Sequence, residues 1–288
     1  MQKGTMIVGL VLLAASGLAM GVHAAGPQKL TLQAQRSSPQ DIEITGDVPG
    51  IAPGQSRFVR YADLAGLRQV SYTVKDDTNF DGPVQLSGVP LDEIIQALGV
   101  TGSQQMVAAV GADGYDGNYT TEYRAAHQPF LVLTIGGKPP AQWPKGPEGE
   151  VLAPYIISHP YFKPGAKILA HIEDSNAPYG ITKLHFYDQA AILATLKPPA
   201  SAGPAAMQGY RIMLNNCLRC HNSGEIGGDK SPFGWQQLAM IAKGNADAFG
   251  KYIIQPNRVN PEATMPPNPK YDSATVAALV AYFQAENK

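Results

Sequence analysis

Both cysteines of this 288-residue chain lie in Asn215–Gly224, "NNCLRCHNSG". Cys217 and Cys220, with two residues between them, admit three chemistries: a redox disulfide, half of a zinc site, or the anchor of a haem. A redox pair of the thioredoxin kind opens a helix in an α/β setting. Here a helical pattern precedes the pair and a Gly-rich loop follows it. A zinc site needs two further ligands at plausible spacing, and no third cysteine exists. The haem reading uses the whole of Cys217-Leu218-Arg219-Cys220-His221. Two thiols one helical turn apart can add to the two vinyl groups of one haem, and His221 then lies below the iron as an axial imidazole.

A second axial ligand is sought downstream, where two methionines occur. Met240, in "QQLAMIAKG", falls in a helical pattern and reads as packing. Met265, in "PEATMPPNPK", has no periodicity around it and is flanked by Pro261, Pro266 and Pro267, which would stiffen a loop. Met265 is the expected ligand. A histidine–methionine pair fills both axial positions and raises the reduction potential, which favours electron transfer over oxygen chemistry.

The elements that must hold these ligands are helical. Ala206, Tyr210, Met213 and Leu214 fall at helical spacing before the cysteines, and "DSATVAALVAYFQAE" starts at an Asp272 or Ser273 cap with a stripe of Val276, Leu279, Val280 and Phe283. With Gly209-Tyr210, "CLRCH", the Met-Pro loop and a last helix ending "LVAYF", residues 203–288 resemble a class I cytochrome c. That resemblance implies one covalent haem c and a close crossing of the first and last helices, Gly209 against Tyr282 or Phe283. It also implies that a proline carbonyl, here that of Pro232 in "GGDKSPFGW", supports the proximal His221. Ser231 stands where the family often has glycine.

The front of the chain has a different texture. Lys3, the apolar "MIVGLVLLAASGLAMGV" and Val22-His23-Ala24 read as a signal peptide, residues 1–24, so the protein is expected in the periplasm. An uncleaved anchor is the alternative, and the only route to a membrane. Residues 25–195 alternate short β-type runs ("LTLQAQ", "DIEITG", "RFVRYA", "SYTVKD", "MVAAVG", "FLVLTIGG", "KILAHIED") with turn dipeptides. One helix interrupts them in "GVPLDEIIQALGV", with Pro90 at its first position and Gly99 closing it. Residues 196–204, within "LKPPASAGPAA", read as a linker, and 205–288 as the cytochrome-like domain. Acids outnumber bases before the linker and the reverse holds after it, which favours loose docking of the two parts. With a formal net charge of -1 and no basic stripe, nucleic acid is not an expected partner.

"DGPVQLSGVPLDEIIQALGV", "VAAVGADGYDGNYT" and "QPFLVLTIGGKPP" resemble the molybdopterin-binding domain of the sulfite oxidase family, over about residues 70–140 and more faintly to 190. The shared marks are Gly88–Pro90 entering a helix, Asp113-Gly114-Tyr115, and a strand before a Gly-Gly turn. Catalytic members hold molybdenum through a cysteine thiolate. Both cysteines here belong to the haem motif, so the resemblance implies the fold and no molybdenum cofactor. His127, His159, His171 and His185 show no ligand spacing and read as surface or packed residues. Asp76, Asp77 and Asp81 read as a solvated loop, Asp113-Gly114 as an ordinary turn, and no residue is assigned to catalysis.

The fold expected is therefore α+β: a mostly-β domain of the molybdopterin-binding type followed by an all-α cytochrome c domain. The function expected is an exported monohaem cytochrome that passes single electrons to or from a redox partner protein. Two alternatives stay open. One is a sulfite-oxidase-like molybdenum enzyme feeding its own cytochrome; the other is a haem-linked ligand sensor.

Overall fold

The computed structural model describes residues 28–101 and 105–286, so the expected signal segment lies outside it. Along the front half run β1 (Ile42–Gly46), β2 (Ser56–Val59), α1 (Tyr61–Ala65), β3 (Val70–Val74), β4 (Val84–Pro90), α2 (Leu91–Ala97), β5 (Gln105–Gly111) and β6 (Asp116–Tyr119). They are followed by α3 (Thr121–His127), β7 (Phe130–Ile135), β8 (Ile157–Ser158), β9 (Lys167–Ile168), β10 (His171–Ile172), β11 (Ile181–Asp188) and α4 (Gln189–Leu196). The rear half is helical: α5 (Gly203–Asn215), α6 (Trp235–Gly244), α7 (Ala246–Ile254), α8 (Pro256–Val259) and α9 (Ser273–Ala285). The molecule is thus mixed α+β, with the sheets in front and the helices behind.

One sheet has the order β2-β1-β11-β5-β6, with β1 and β11 parallel and the other neighbours antiparallel. The second is antiparallel, in the order β3-β4-β7-β8. Side chains alternate across a strand, and the larger sheet uses both faces. Ile44, Val107, Ala109, Leu184 and Phe186 point into a core closed by α2, whose Leu91, Ile94, Ile95 and Leu98 are all buried. Met106, Ala108 and Tyr187 point the other way and join the core of the rear helices.

That rear core is organised by the crossing of α5 and α9. A Cβ at Gly209 would lie 2.1 Å from the Ala278 carbonyl oxygen and 2.7 Å from Tyr282 Cβ, so only glycine lets the helices approach this closely. The aromatic at the crossing is therefore Tyr282, one of the two expected. Its hydroxyl receives the Trp235 indole N–H at 3.0 Å and donates to the Leu196 carbonyl at 2.9 Å. Asp272 caps α9, accepting from the Thr275 amide at 2.8 Å.

Several expectations are corrected. The halves are not loosely docked, because they share a continuous apolar core. Residues 196–204, expected as a linker, carry short regular structure. Leu196 is the buried last residue of α4, a 3-10 turn spans Ala200–Ala202, and α5 begins at Gly203 with Pro204 in its first turn, a position where the missing N–H costs nothing. Pro90 caps α2 from the end of β4 instead of sitting inside the helix. "LTLQAQ" contributes only an isolated bridge at Gln33 to Phe58, and "RFVRYA" turns into α1 at Tyr61. "KILAHIED" folds as the tight hairpin of β9 and β10 around Leu169, whose φ is 53°. Among the described residues no helix is long and apolar enough to cross a membrane.

Candidate functional site

After α5 the chain enters a 3-10 turn at Cys217–Arg219, pinned by the buried Leu218. The Cys220 and His221 amides both donate to the Cys217 carbonyl, at 3.2 and 3.0 Å. Both thiols and the histidine therefore sit on one turn. The thiols are free and half-buried. Burial pushes the Cys217 thiol up to about 12 and raises that of Cys220, the reverse of what an attacking redox thiolate needs.

His221 Nδ1 donates to the Phe233 carbonyl at 2.6 Å, which fixes the ring and leaves Nε2 as the atom able to bind a metal. Burial also lowers the imidazole pKa, keeping the neutral, ligating form. The supporting carbonyl stands one residue beyond the expected Pro232. Ser231 holds the loop just before it: its amide donates to the Cys220 carbonyl at 3.0 Å and its hydroxyl accepts from the Phe233 amide at 3.2 Å, fixing the Pro232–Phe233 peptide one unit ahead of that carbonyl. Two glycines let the loop pass tightly. A Cβ at Gly227, where φ is +92°, would lie 2.5 Å from the His221 carbonyl oxygen, and one at Gly228 would lie 2.1 Å from that of Arg219.

Met265 lies in an irregular stretch between α8 and α9, half-buried against the same apolar cluster as Cys217. Asn268 tethers this stretch, its amide donating to the Ile254 carbonyl at 3.0 Å and its Nδ2 to that of Ile253 at 3.0 Å. Met240 is on a helix as expected, but it is 64% exposed and packs no core. Two free thiols and an imidazole with only Nε2 left to coordinate share one turn, and Cys217 and the Met265 thioether pack against one apolar cluster, a donor set of the kind that a covalently attached haem would use. Among the described residues no group of three or more His, Cys, Asp or Glu could hold a metal ion.

The front half meets this motif directly. Arg219, between the two cysteines, donates to the Asp174 carbonyl at 3.0 Å. Asn216 Nδ2 donates to His171 Nδ1 at 3.0 Å and also contacts the Tyr271 hydroxyl. The Tyr187 hydroxyl donates to the Glu225 carbonyl at 2.6 Å, and the Ala170 amide to Thr275 Oγ1 at 2.9 Å. His127, His159 and His171 are packed, not surface, residues. His159 bonds the Tyr123 hydroxyl at 3.1 Å, and burial drives its pKa down to about 3. His127 Nε2 lies 3.2 Å from Glu173 Oε1. Asp77, expected in solvent, is buried with Oδ2 accepting from Ser158 Oγ at 2.5 Å, a partner far away in sequence.

Two features are not visible in any motif. Asp116, on β6, is 3% exposed and Oδ1 has no hydrogen-bond partner among the described residues; burial pushes its carboxyl up to about 7, with Lys183 opposing and Asp229 adding to the shift. A cleft of about 950 Å³ opens over the uncovered part of the larger sheet, lined by Glu43, Thr45, Lys183, His185 and Tyr187, and touches the motif's loop only at Glu225.

No family model matches the chain, and no curated protein matches it. Among solved structures, the sulfane dehydrogenase SoxCD from Paracoccus pantotrophus is similar to part of it, with a TM-score of 0.35 and 16% sequence identity. The similarity covers 54% of this chain and 40% of that one, so the chain spans about two fifths of the length of the structure it matches.

Proposed function

We propose that this chain is an exported, periplasmic c-type cytochrome with one haem, carrying single electrons between partner proteins. The front domain, a molybdopterin-type fold without the molybdenum-binding cysteine, would serve docking and recognition. The observation that carries the reading is the His221 ring, fixed by the Phe233 carbonyl on the same turn as two free thiols. Cys217 and Cys220 would hold the group by thioethers, and His221 Nε2 and Met265 would ligate its iron. A bound haem supplies a one-electron iron couple, and the protein tunes its potential and access. The partner contact expected for such transfer is small and transient.

The test is extraction of the purified protein into acidified organic solvent, with iron and molybdenum measured on the same sample. Haem that stays with the denatured chain at one iron per chain supports the proposal. Haem that extracts freely overturns it, and molybdenum near one per chain would move the function to a sulfite-oxidase-like enzyme.

A second reading rests on the cleft of about 950 Å³. Its floor residue Tyr187 bonds the Glu225 carbonyl, four residues past His221, so a ligand held there could alter the haem. This sensor reading expects a midpoint potential that moves when a cleft ligand binds. A potential indifferent to every ligand shown to occupy the cleft rejects it.

A further inference from the structure

The turn Asp113-Gly114, between β5 and β6, touches the rear half at the loop that orients His221. The Asp229 amide donates to the Gly114 carbonyl at 3.0 Å, and Lys230 Nζ to Asp113 Oδ2 at 2.6 Å. The fit has no slack. Gly114 has φ +81°, and a Cβ there would lie 2.3 Å from Asp229 Oδ1 and 2.8 Å from the Lys230 amide nitrogen. A Cβ at Gly228 would lie 2.6 Å from the Gly114 carbonyl oxygen. Glycines on both sides of the contact allow two backbones to meet.

From this contact the chain has three residues to reach Phe233. Ser231 ties it to the Cys220 carbonyl on the way, and the Phe233 carbonyl then accepts from His221 Nδ1. The motif's own backbone is held from the same side: the Gly228 amide donates to the Leu218 carbonyl at 2.9 Å, and Arg219 reaches the Asp174 carbonyl at 3.0 Å. The imidazole and its hydrogen-bond acceptor are thus both referenced to the front half.

We propose that Asp113-Gly114 is a positioning element for His221: by seating Asp229 and Lys230 it sets where the Phe233 carbonyl stands, and so the strength of the bond to Nδ1. The proposal rests on the haem reading above. It gives the front domain a role in the redox site that does not require it to bind anything. The hydrogen bond from Nδ1 raises the basicity of the ligand. A more basic imidazole favours the ferric state, so weakening the bond raises the midpoint potential.

The experiment compares Gly114→Ala with Gly50→Ala in the full-length holoprotein. Both glycines have a positive φ, +81° and +84°, so both substitutions strain the backbone, but nothing lies within 4 Å of a Cβ at Gly50. Gly114→Ala is expected to raise the midpoint so that the ratio of reduced to oxidised haem, held at the wild-type midpoint, changes about tenfold, or about 59 mV for one electron. The Nδ1 proton resonance of the axial histidine should move with it. Gly50→Ala should leave both at wild-type values. Asp113→Asn, which keeps the turn should Gly114→Ala fail to fold, is expected to shift the potential the same way by less, with the difference shrinking as salt screens the ion pair. A wild-type potential and resonance in both Gly114→Ala and Asp113→Asn overturns the proposal while leaving the cytochrome intact. A wild-type protein without covalent haem overturns the underlying reading instead, before any variant is made.

Discussion

In the front half, Ile44, Val107 and Phe186 point into a core that the strands and α2 of that half close by themselves. In the rear half, Ile212, Trp235 and Phe283 share their core with Met106, Ala108 and Tyr187, which come from the front. The difference follows from size. A short helical segment leaves too much apolar surface uncovered to be stable alone, and staples or cofactors make good the deficit. Here the sheet covers one side of the rear helices. Cys217 and Met265 remain half-buried against the same cluster, and there the haem of the proposed function would complete the packing.

The largest expected effect breaks the two halves apart. On the proposed function, Cys217→Ala/Cys220→Ala removes the two thioether attachments, and the rear core would lose the group that completes it. Amide exchange should then speed up by about tenfold or more in α5 and α9, while β4 and β7 keep their protection, since units of different stability open separately. Measured by hydrogen exchange, equal loss in both halves would mean that the front core also depends on the haem.

How much of this contrast is legible in the sequence depends on how far apart the interacting residues are. The rear motif is local: Cys217, Cys220 and His221 lie on one turn, and α9 announces itself by an Asp272 cap and a stripe that ends at Phe283. The apolar face of α2 is legible for the same reason. By contrast α3 hides, because the residues it buries include Arg124, satisfied by Asp92 and by the Gln105 and Tyr119 carbonyls. Strand β11 hides because its register shifts between Ile181 and Lys183, and because the face carrying Lys183 and His185 lines the cleft and so shows polar residues. The meeting of Asp113 with Lys230, 117 residues apart, leaves no local trace beyond a turn dipeptide. Pro232 is chosen by residue type, whereas the carbonyl beside His221 Nδ1 is that of Phe233, one residue on, in a loop that the Ser231 hydroxyl holds at the Phe233 amide.

A smaller effect sharpens the comparison inside the rear half, between its two methionines. Met265→Ala should abolish the weak sulfur-to-iron charge-transfer band and cost about 1–2 kcal/mol for a half-buried side chain. Met240→Ala, at an exposed helix position, should keep the band and change stability by no more than about 0.5 kcal/mol. Absorption spectra and denaturant melts on the two variants separate them; loss of the band in Met240→Ala alone would transfer the ligand assignment.

The smallest effect lies on the seam between the halves. Asp116 is buried on β6 against the rear loop, near Asp229 and across from Lys183, and its carboxyl is pushed up to about 7. An unfolded aspartate titrates near 4. Between those values the folded state keeps a proton that the unfolded state has lost, so stability falls as pH rises, and the loss levels off above about 7. The full stabilising contribution is present only below the unfolded pKa. Other groups titrate in the same window, so the informative quantity is the difference between wild type and Asp116→Asn. Because the amide has no proton to lose, its advantage over wild type should grow from pH 4 to pH 7 and then hold constant in denaturant melts. A difference that does not vary with pH would mean that the carboxyl is hydrated, and that the seam between sheet and loop opens to water at Asp116.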